Sequence, residues 1–359
     1  MSDIAYWVAL NRFPKFGPRT FQKLEAHFAS MKEAFFSDRG GLIAAGVKPN
    51  AVDEFVHLRE NISPESLMAQ LDRAGLRAVS KHDADYPRRL LDIYDPPPVL
   101  FVKGELPPQE SPHLAIVGSR SATPYGLRAA ADLAHDLARA GVVVVSGLAY
   151  GIDEAAHNAA LKGQGKTIAV LGTGLLTLTS RERHLAEKIV QGGGAVISEF
   201  PVDAHAMKQN FPVRNRIIAG MSHGTLIVEA AIKSGSLITA NAALEQGRDV
   251  FAVPGPITST TSEGTNHLLK MGAHVVTEAA DILGVLGVEK AAVPDEVKQY
   301  VADSKEESLI LDLLSKTPVH IDELTRGTQL APQAIASTLS LMEIKGRTKQ
   351  IGGMYYVLT

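Results

Sequence analysis

The chain has 359 residues, 45% of them hydrophobic, a formal net charge of −3 and no cysteine. That size and apolar content supply a full core and predict two or three domains. The missing cysteines exclude disulfides, thiolate metal ligands and thiol nucleophiles, and the slight acidity gives no global pull on polyanions, so any such binding must come from clustered charge.

The opening residues carry no basic end followed by an apolar run, and no stretch approaches the roughly 18 apolar residues of a membrane helix. A cytoplasmic protein without a membrane partner is expected. Residues 1–65 have apolar positions at helical spacing in YWVALNRF, TFQKLEAHF and AVDEFVHL, which predicts an N-terminal helical domain. Between the first two helices lies Phe13-Pro14-Lys15-Phe16-Gly17-Pro18, the pattern of a helix-hairpin-helix turn. Such a turn can hold a phosphate on its amides, but plain helical packing is the preferred reading. The three prolines Pro96 to Pro98 exclude a helix and favour an extended arm leading into the short strand VLFVKG.

From 113 to about 280, apolar runs alternate with helical stretches: LAIVGS, VVVVSG, TIAVLG, AVISEF, TLIVEA, VFAVPG and HVVTE. Near-continuous Val/Ile/Leu strands between helices indicate an α/β fold with a parallel sheet covered on both faces. Gly and Ser recur at the strand ends, and ligands of open α/β sheets sit outside the carboxyl ends of the strands. These loops are therefore expected to converge on one site. Residues 66–285 form this central domain and 286–304 a polar linker. Residues 305–359 run helix, helix, helix, hairpin, the order of a winged helix. Its would-be recognition helix, 331–344, has no Lys or Arg and contains Glu343, so protein contact or packing is favoured over reading of duplex DNA.

Charge placement locates the site. Residues 204–228 hold Lys208, Arg214 and Arg216 and no carboxylate; 111–131 hold Arg120 and Arg128 with none; 155–181 hold Lys162, Lys166 and Arg181 with none. The segment 204–228 is the centre of the reading. RNRIIAGMS is predicted as a helix entered through Phe211-Pro212, with Arg214 and Arg216 in its first turn, where a phosphate is favoured. The turn Gly118-Ser119-Arg120 combines small residues with one arginine that a purely structural turn does not need, and Arg120 is assigned to phosphate contact. Ser234-Gly235-Ser236 adds a further small-residue loop entering a helix. Phe211 is either a stacking surface or a buried anchor.

Other motifs fail their tests. Gly163-Gln164-Gly165-Lys166-Thr167 resembles the end of a nucleotide-binding P-loop, but Ala160 stands where its first glycine belongs and the motif enters a strand instead of a helix. The first turn lacks GxGxxG, and no acid follows the next strand for a ribose hydroxyl, so NAD is disfavoured. Asp153 and His157 are read as a helix-start carboxylate and a packed histidine, since no serine nucleophile accompanies them. No metal-ligand spacing occurs. Neither cofactor nor catalytic residue is expected.

Gly118-Ser119-Arg120, SGLAYGIDEAAH (146–157), FPVRNRIIAG (211–220), VEAAIKSGSLITANAALEQGR (228–248), FAVPGP (251–256) and GTNHLLKMGA (264–273) together resemble the DNA processing protein A (DprA/Smf) family. The resemblance implies an extended Rossmann-like fold that binds single-stranded DNA, a homodimer, and a recombination mediator that protects incoming DNA in natural transformation and helps load the recombinase RecA. It places phosphate contact on Arg120 and on the helix bearing Arg214, Asn215 and Arg216. Lys166 is added to the groove from charge placement. The chain departs from the family at 175–185, LLTLTSRERHL, where Tyr-Pro and a polar segment are usual. An alternative is a nucleoside-monophosphate phosphoribohydrolase, because His223-Gly224-Thr225 with Glu229 echoes that family's loop, although the double glycine is missing.

Overall fold

The computed structural model describes residues 2–288, 302–314 and 318–358. The chain divides into two compact units, Met1–Val293 and Pro294–Thr359. Most of the expected linker, 289–301, lies outside the described residues.

The first unit begins with six helices: α1 (Ile4–Asn11), α2 (Pro18–His27), α3 (Met31–Phe36), α4 (Arg39–Ala44), α5 (Pro49–Leu58) and α6 (Pro64–Arg73). Ser30, Asp38 and Ser63 cap α3, α4 and α6 by accepting hydrogen bonds from amides of the first turn. These helices do not close a core of their own. Tyr6, Trp7, Phe13, Phe16 and Phe55 share one apolar cluster with Val99, Phe101, Ala169, Leu171 and Val196 of the sheet, so the expected boundary at residue 65 lies inside a continuous core. In the Phe13–Pro18 turn both phenylalanines are buried and Lys15 is paired with Glu54 at 2.5 Å.

The sheet contains β1 (Arg77–Ser80), β2 (Val99–Gly104), β3 (His113–Val117), β4 (Val143–Ser146), β5 (Thr167–Leu171), β6 (Ala195–Ser198), β7 (Gly224–Ile227), β8 (Asp249–Ala252) and β9 (His274–Val275). The helices between and after them are α7 (Pro124–Arg139), α8 (Ile152–Lys162), α9 (Ser180–Gln191), α10 (Asn210–Met221), α11 (Ser236–Glu245), α12 (Glu263–Lys270) and α13 (Ala279–Leu286). The spatial order is β1-β2-β6-β5-β4-β3-β7-β8-β9. Pairs from β6 to β9 are parallel, whereas β1–β2 and β2–β6 are antiparallel. The extended arm therefore augments the sheet edge instead of merely leading to it. Both faces are covered: Leu114 and Ile116 pack with α7 and α8, while the alternate residues Ala115 and Val117 pack with α10 and α11. Strand order reverses at β3, since the chain moves outward through β4, β5 and β6 and then restarts on the other side with β7. That reversal opens a crevice outside the carboxyl ends of β3 and β7.

The second unit has α14 (Lys305–Leu311), β10 (Val319–His320), α15 (Ile321–Thr328), α16 (Pro332–Ile344), β11 (Thr348–Gly352) and β12 (Tyr355–Leu358). Its strands pair in the order β10-β12-β11, around a core of Ile310, Leu314, Leu324, Ile335, Leu339 and Met342, and the arrangement is a winged helix. Helix α16 carries no cation, and Lys345, just beyond it, is held by Asp303 at 2.6 Å. Among the described residues no helix is long and apolar enough to cross a membrane.

Candidate nucleic-acid interface

Three loops and a helix meet in the crevice. The loop after β3 runs Gly118-Ser119-Arg120-Ser121-Ala122 to Thr123, whose side chain caps α7 through Gly126 N–H at 3.2 Å. Ser119 Oγ accepts from Ser121 N–H at 3.1 Å, tightening the turn, and Ser119 N–H donates to the Glu229 carbonyl at 2.7 Å, tying it to the end of β7. The loop after β4 runs Gly147 to Gly151 and enters α8. The loop after β7 reaches α11 through Ser234, whose Oγ lies 2.7 Å from Ser236 Oγ. Helix α10 supplies the fourth side.

The resulting cavity, of about 510 Å³, is lined by Gly118, Ser119, Arg120, Ser121, Asp153, Phe211, Arg214, Asn215, Lys233, Ser234, Gly235 and Ser236, among others. It thus gathers residues from positions 118 to 236 of the chain. α8 and α11 begin at its edge and the long α7 begins just beyond, so several helix N-termini add positive potential to the crevice.

Arg214 forms the floor. It is 3% exposed, its Nη1 donates to the Gly147 carbonyl at 2.9 Å and to the Val170 carbonyl, and its Nε donates to Asn215 Oδ1 at 3.1 Å. Burial lowers its pKa to about 10, against the opposing attraction of Asp153. Asp153 in turn accepts from Gly147 N–H at 3.1 Å and Ala149 N–H at 3.4 Å, and burial raises its pKa despite the nearby guanidinium. Asn215 donates to the Gly235 carbonyl at 3.3 Å, linking α10 to the α11 loop. The floor is therefore a buried network that fixes the loops. The rim is different: Arg120 is exposed, with its Cζ 5.2 Å from the centre of the half-buried Phe211 ring, and Lys233, which lines the same cavity, is exposed too. Among the described residues neither cation is paired with a carboxylate.

The helix carrying Arg214 starts earlier than expected. It begins at Asn210, so Phe211 and Pro212 occupy its first turn and the arginines lie beyond it. Proline is tolerated there because the first-turn N–H groups have no intrahelical partner. Arg216 is not in the crevice. Two positions along a helix are about 200° apart, which turns Arg216 away from Arg214 and onto Glu199 and Asp95 at 3.1 Å. Glu199 is almost wholly buried, and burial raises its pKa to about 7 against the pull of Arg216. Lys166 is also elsewhere: it precedes β5 at the amino edge of the sheet, a strand's length of roughly 16 Å from the carboxyl ends.

Asp153 and His157 do not form a pair. His157 is fully buried and its Nδ1 lies 2.7 Å from Thr167 Oγ1. Thr167 Oγ1 donates to the Val144 carbonyl at 2.7 Å, so it accepts from Nδ1–H, and burial lowers the histidine pKa to about 3. Glu229, 2% exposed, accepts from Thr123 N–H and Oγ1, both at 2.8 Å, and from Thr261 Oγ1 at 2.7 Å. Among the described residues no group of three or more His, Asp or Glu could hold a metal ion.

Lys233 escaped the sequence reading. Glu229 ends the acid-free stretch 204–228, yet the short run from 230 to the serine loop is itself free of acids and carries this one cation.

Residues 77–287 match the model of the family described as DNA recombination-mediator protein A, and residues 294–354 match a DprA winged helix domain. Protein Smf of Escherichia coli is 44% identical over 303 residues, covering 82% of this chain and 80% of that protein. DNA processing protein DprA of Streptococcus pneumoniae is 44% identical over 201 residues, 56% of this chain and 71% of the relative. The X-ray structure of the Streptococcus pneumoniae protein superposes with a TM-score of 0.66 at 34% identity, covering 79% of this chain and 98% of that one. A structure of DNA processing protein A from Helicobacter pylori, reported for its single-stranded DNA binding mode, gives a TM-score of 0.53 at 29% identity over 59% of this chain and 95% of its own. On the length of the family match and the identity to these relatives, this chain belongs to the DNA recombination-mediator protein A family, the DprA/Smf proteins.

Proposed function

We propose that the crevice at the carboxyl ends of β3 and β7 binds the sugar–phosphate backbone of single-stranded DNA, with Arg120 and Lys233 on phosphates, the amides of the 118–121 and 234–236 loops as further donors, and Phe211 beneath a base. The observation that carries this reading is the exposure of Arg120 and Lys233, without acidic partners, on the rim of one cavity whose floor is locked by Arg214. The single-stranded DNA binding reported for the Helicobacter pylori relative supports the choice of ligand. In this reading Arg214 and Asn215 position the loops, while Arg216 and Lys166 take no part in the groove.

Family membership supports a finer role as part of this proposal: a cytoplasmic recombination mediator, working as a homodimer, that protects incoming DNA and promotes RecA loading in natural transformation, without catalysing a reaction of its own. Competition of single- against double-stranded oligonucleotides for the full-length chain at two salt concentrations tests the ligand. Preference for single strands, with a salt slope that shrinks by about 0.7 on Arg120→Ala, is the expected result. The rival phosphoribohydrolase reading needs a free glutamate, and the Glu229 carboxylate is enclosed by its three hydrogen bonds. Base release from nucleoside monophosphates, abolished by Glu229→Ala, would reinstate it.

A further inference from the structure

Beside the crevice, the loop after β4 carries Tyr150, a large ring that is 61% exposed. The backbone next to it is fixed against the Arg120 turn: Ile152 N–H donates to the Ser119 carbonyl at 3.2 Å. Gly151 has φ +90° and lies so close to the Ser119 carbonyl that no side chain fits there. Tyr150 is thus held on the same scaffold that presents Arg120. Its ring is covered by Arg181, from the first turn of α9, whose Cζ lies 4.4 Å from the ring centre. Arg181 is held from the other side by Glu154, with Nη2 at 2.8 Å and 2.9 Å from the two carboxylate oxygens.

The arrangement repeats the Arg120–Phe211 pairing: a guanidinium over an accessible ring, twice along one loop cluster. The Arg181 side chain is 63% exposed and that of Glu154 24%, so a strand's phosphate reaches the guanidinium from solvent and exchanges one anionic partner for another. The Tyr150 ring, 61% exposed even with Arg181 over it, offers a surface on which any base stacks. We propose that Tyr150 and Arg181 form a second nucleotide subsite, in which the ring takes a base and the guanidinium takes the flanking phosphate of a strand lying in the crevice. The subsite rests on the crevice reading and extends it by naming where the strand continues. It also offers an aromatic contact beside the 175–185 segment, in which the sequence has no aromatic residue.

The test measures affinities of the full chain for an oligothymidylate and for an abasic oligonucleotide of the same length, at one low salt concentration, with Tyr150→Ala, Tyr150→Phe and Arg120→Ala. Tyr150→Ala is expected to weaken oligothymidylate binding about 5- to 150-fold, with Tyr150→Phe within about twofold of the parent and no loss on the abasic strand. Parental affinity of Tyr150→Ala for oligothymidylate, or an equal loss on both strands, overturns the subsite. Arg120→Ala separates the two levels. If it weakens both ligands while Tyr150→Ala weakens neither, only the subsite falls. If Arg120→Ala changes nothing, the crevice reading falls with it.

Discussion

Arg214 and Gly147 are in contact as if built for each other: the guanidinium donates to the glycine carbonyl at 2.9 Å, and a Cβ at Gly147 would lie 2.5 Å from its Nη1. This close approach makes Arg214 a floor for the crevice instead of a hand on the ligand. Arg214→Met is expected to cost about 3–5 kcal/mol, because Asp153 is left buried without its compensating charge. Urea unfolding of the purified variant measures it, and a loss within error of zero would return Arg214 to the rim.

Arg120 behaves in the opposite way. It is exposed, so Arg120→Ala is expected to leave the unfolding midpoint unchanged while the log–log salt slope for single strands falls by about 0.7. Lys233→Ala is expected to do the same, and the double variant to lose about twice as much slope. Binding isotherms across a salt series check all three.

Lys166→Ala and Arg216→Met are expected to leave that slope intact. Arg216→Met should instead lower stability, since it removes the nearest charge from buried Glu199. Any slope change in Lys166→Ala that matches Arg120→Ala would place the strand across both sheet edges.

Glu199 and His157 give opposite pH dependences. The folded pKa of Glu199 is raised to about 7, so its contribution is fully present below the unfolded value near pH 4.5 and is lost as pH rises through 7. That of His157 is lowered to about 3, so its contribution is fully present above the unfolded value near 6.5 and is lost as pH falls toward 3. Each group changes stability by at most about 1.4 kcal/mol per pH unit. Relative to the parent, Glu199→Gln is expected to gain stability between pH 5 and pH 7 and His157→Gln to gain it between pH 6 and pH 4 as the medium moves in each direction, measured as urea midpoints.

Much of this molecule was legible as text. The parallel sheet announced itself because strands buried on both faces must be apolar at every position, as in residues 142–147 and 167–172. The crevice was legible too, because strand ends with Gly and Ser have to carry tight turns, and a parallel sheet places all such ends on one edge. The antiparallel β1 and β2 were not legible as part of that sheet, since pairing across an edge leaves no mark within the strand itself. The absence of a boundary near residue 65 was hidden for a similar reason: an apolar helix face reads alike whether its partner is another helix or a sheet.

The arginines divide on the same ground. Composition and spacing alone established that cations without neighbouring acids lie in residues 111–131, 155–181 and 204–228, and they did so because sequence-local charge is a matter of counting. Which of these cations faces solvent was a question of three dimensions. Arg216 is paired with Glu199 and Asp95, Lys166 went to the far edge of the sheet, and Arg214 sank beneath Gly147, whereas Arg120 has no carboxylate partner. An acid 121 positions away, as Asp95 is from Arg216, meets a base as closely as one next door once folding makes them neighbours, and only packing decides which pairs meet.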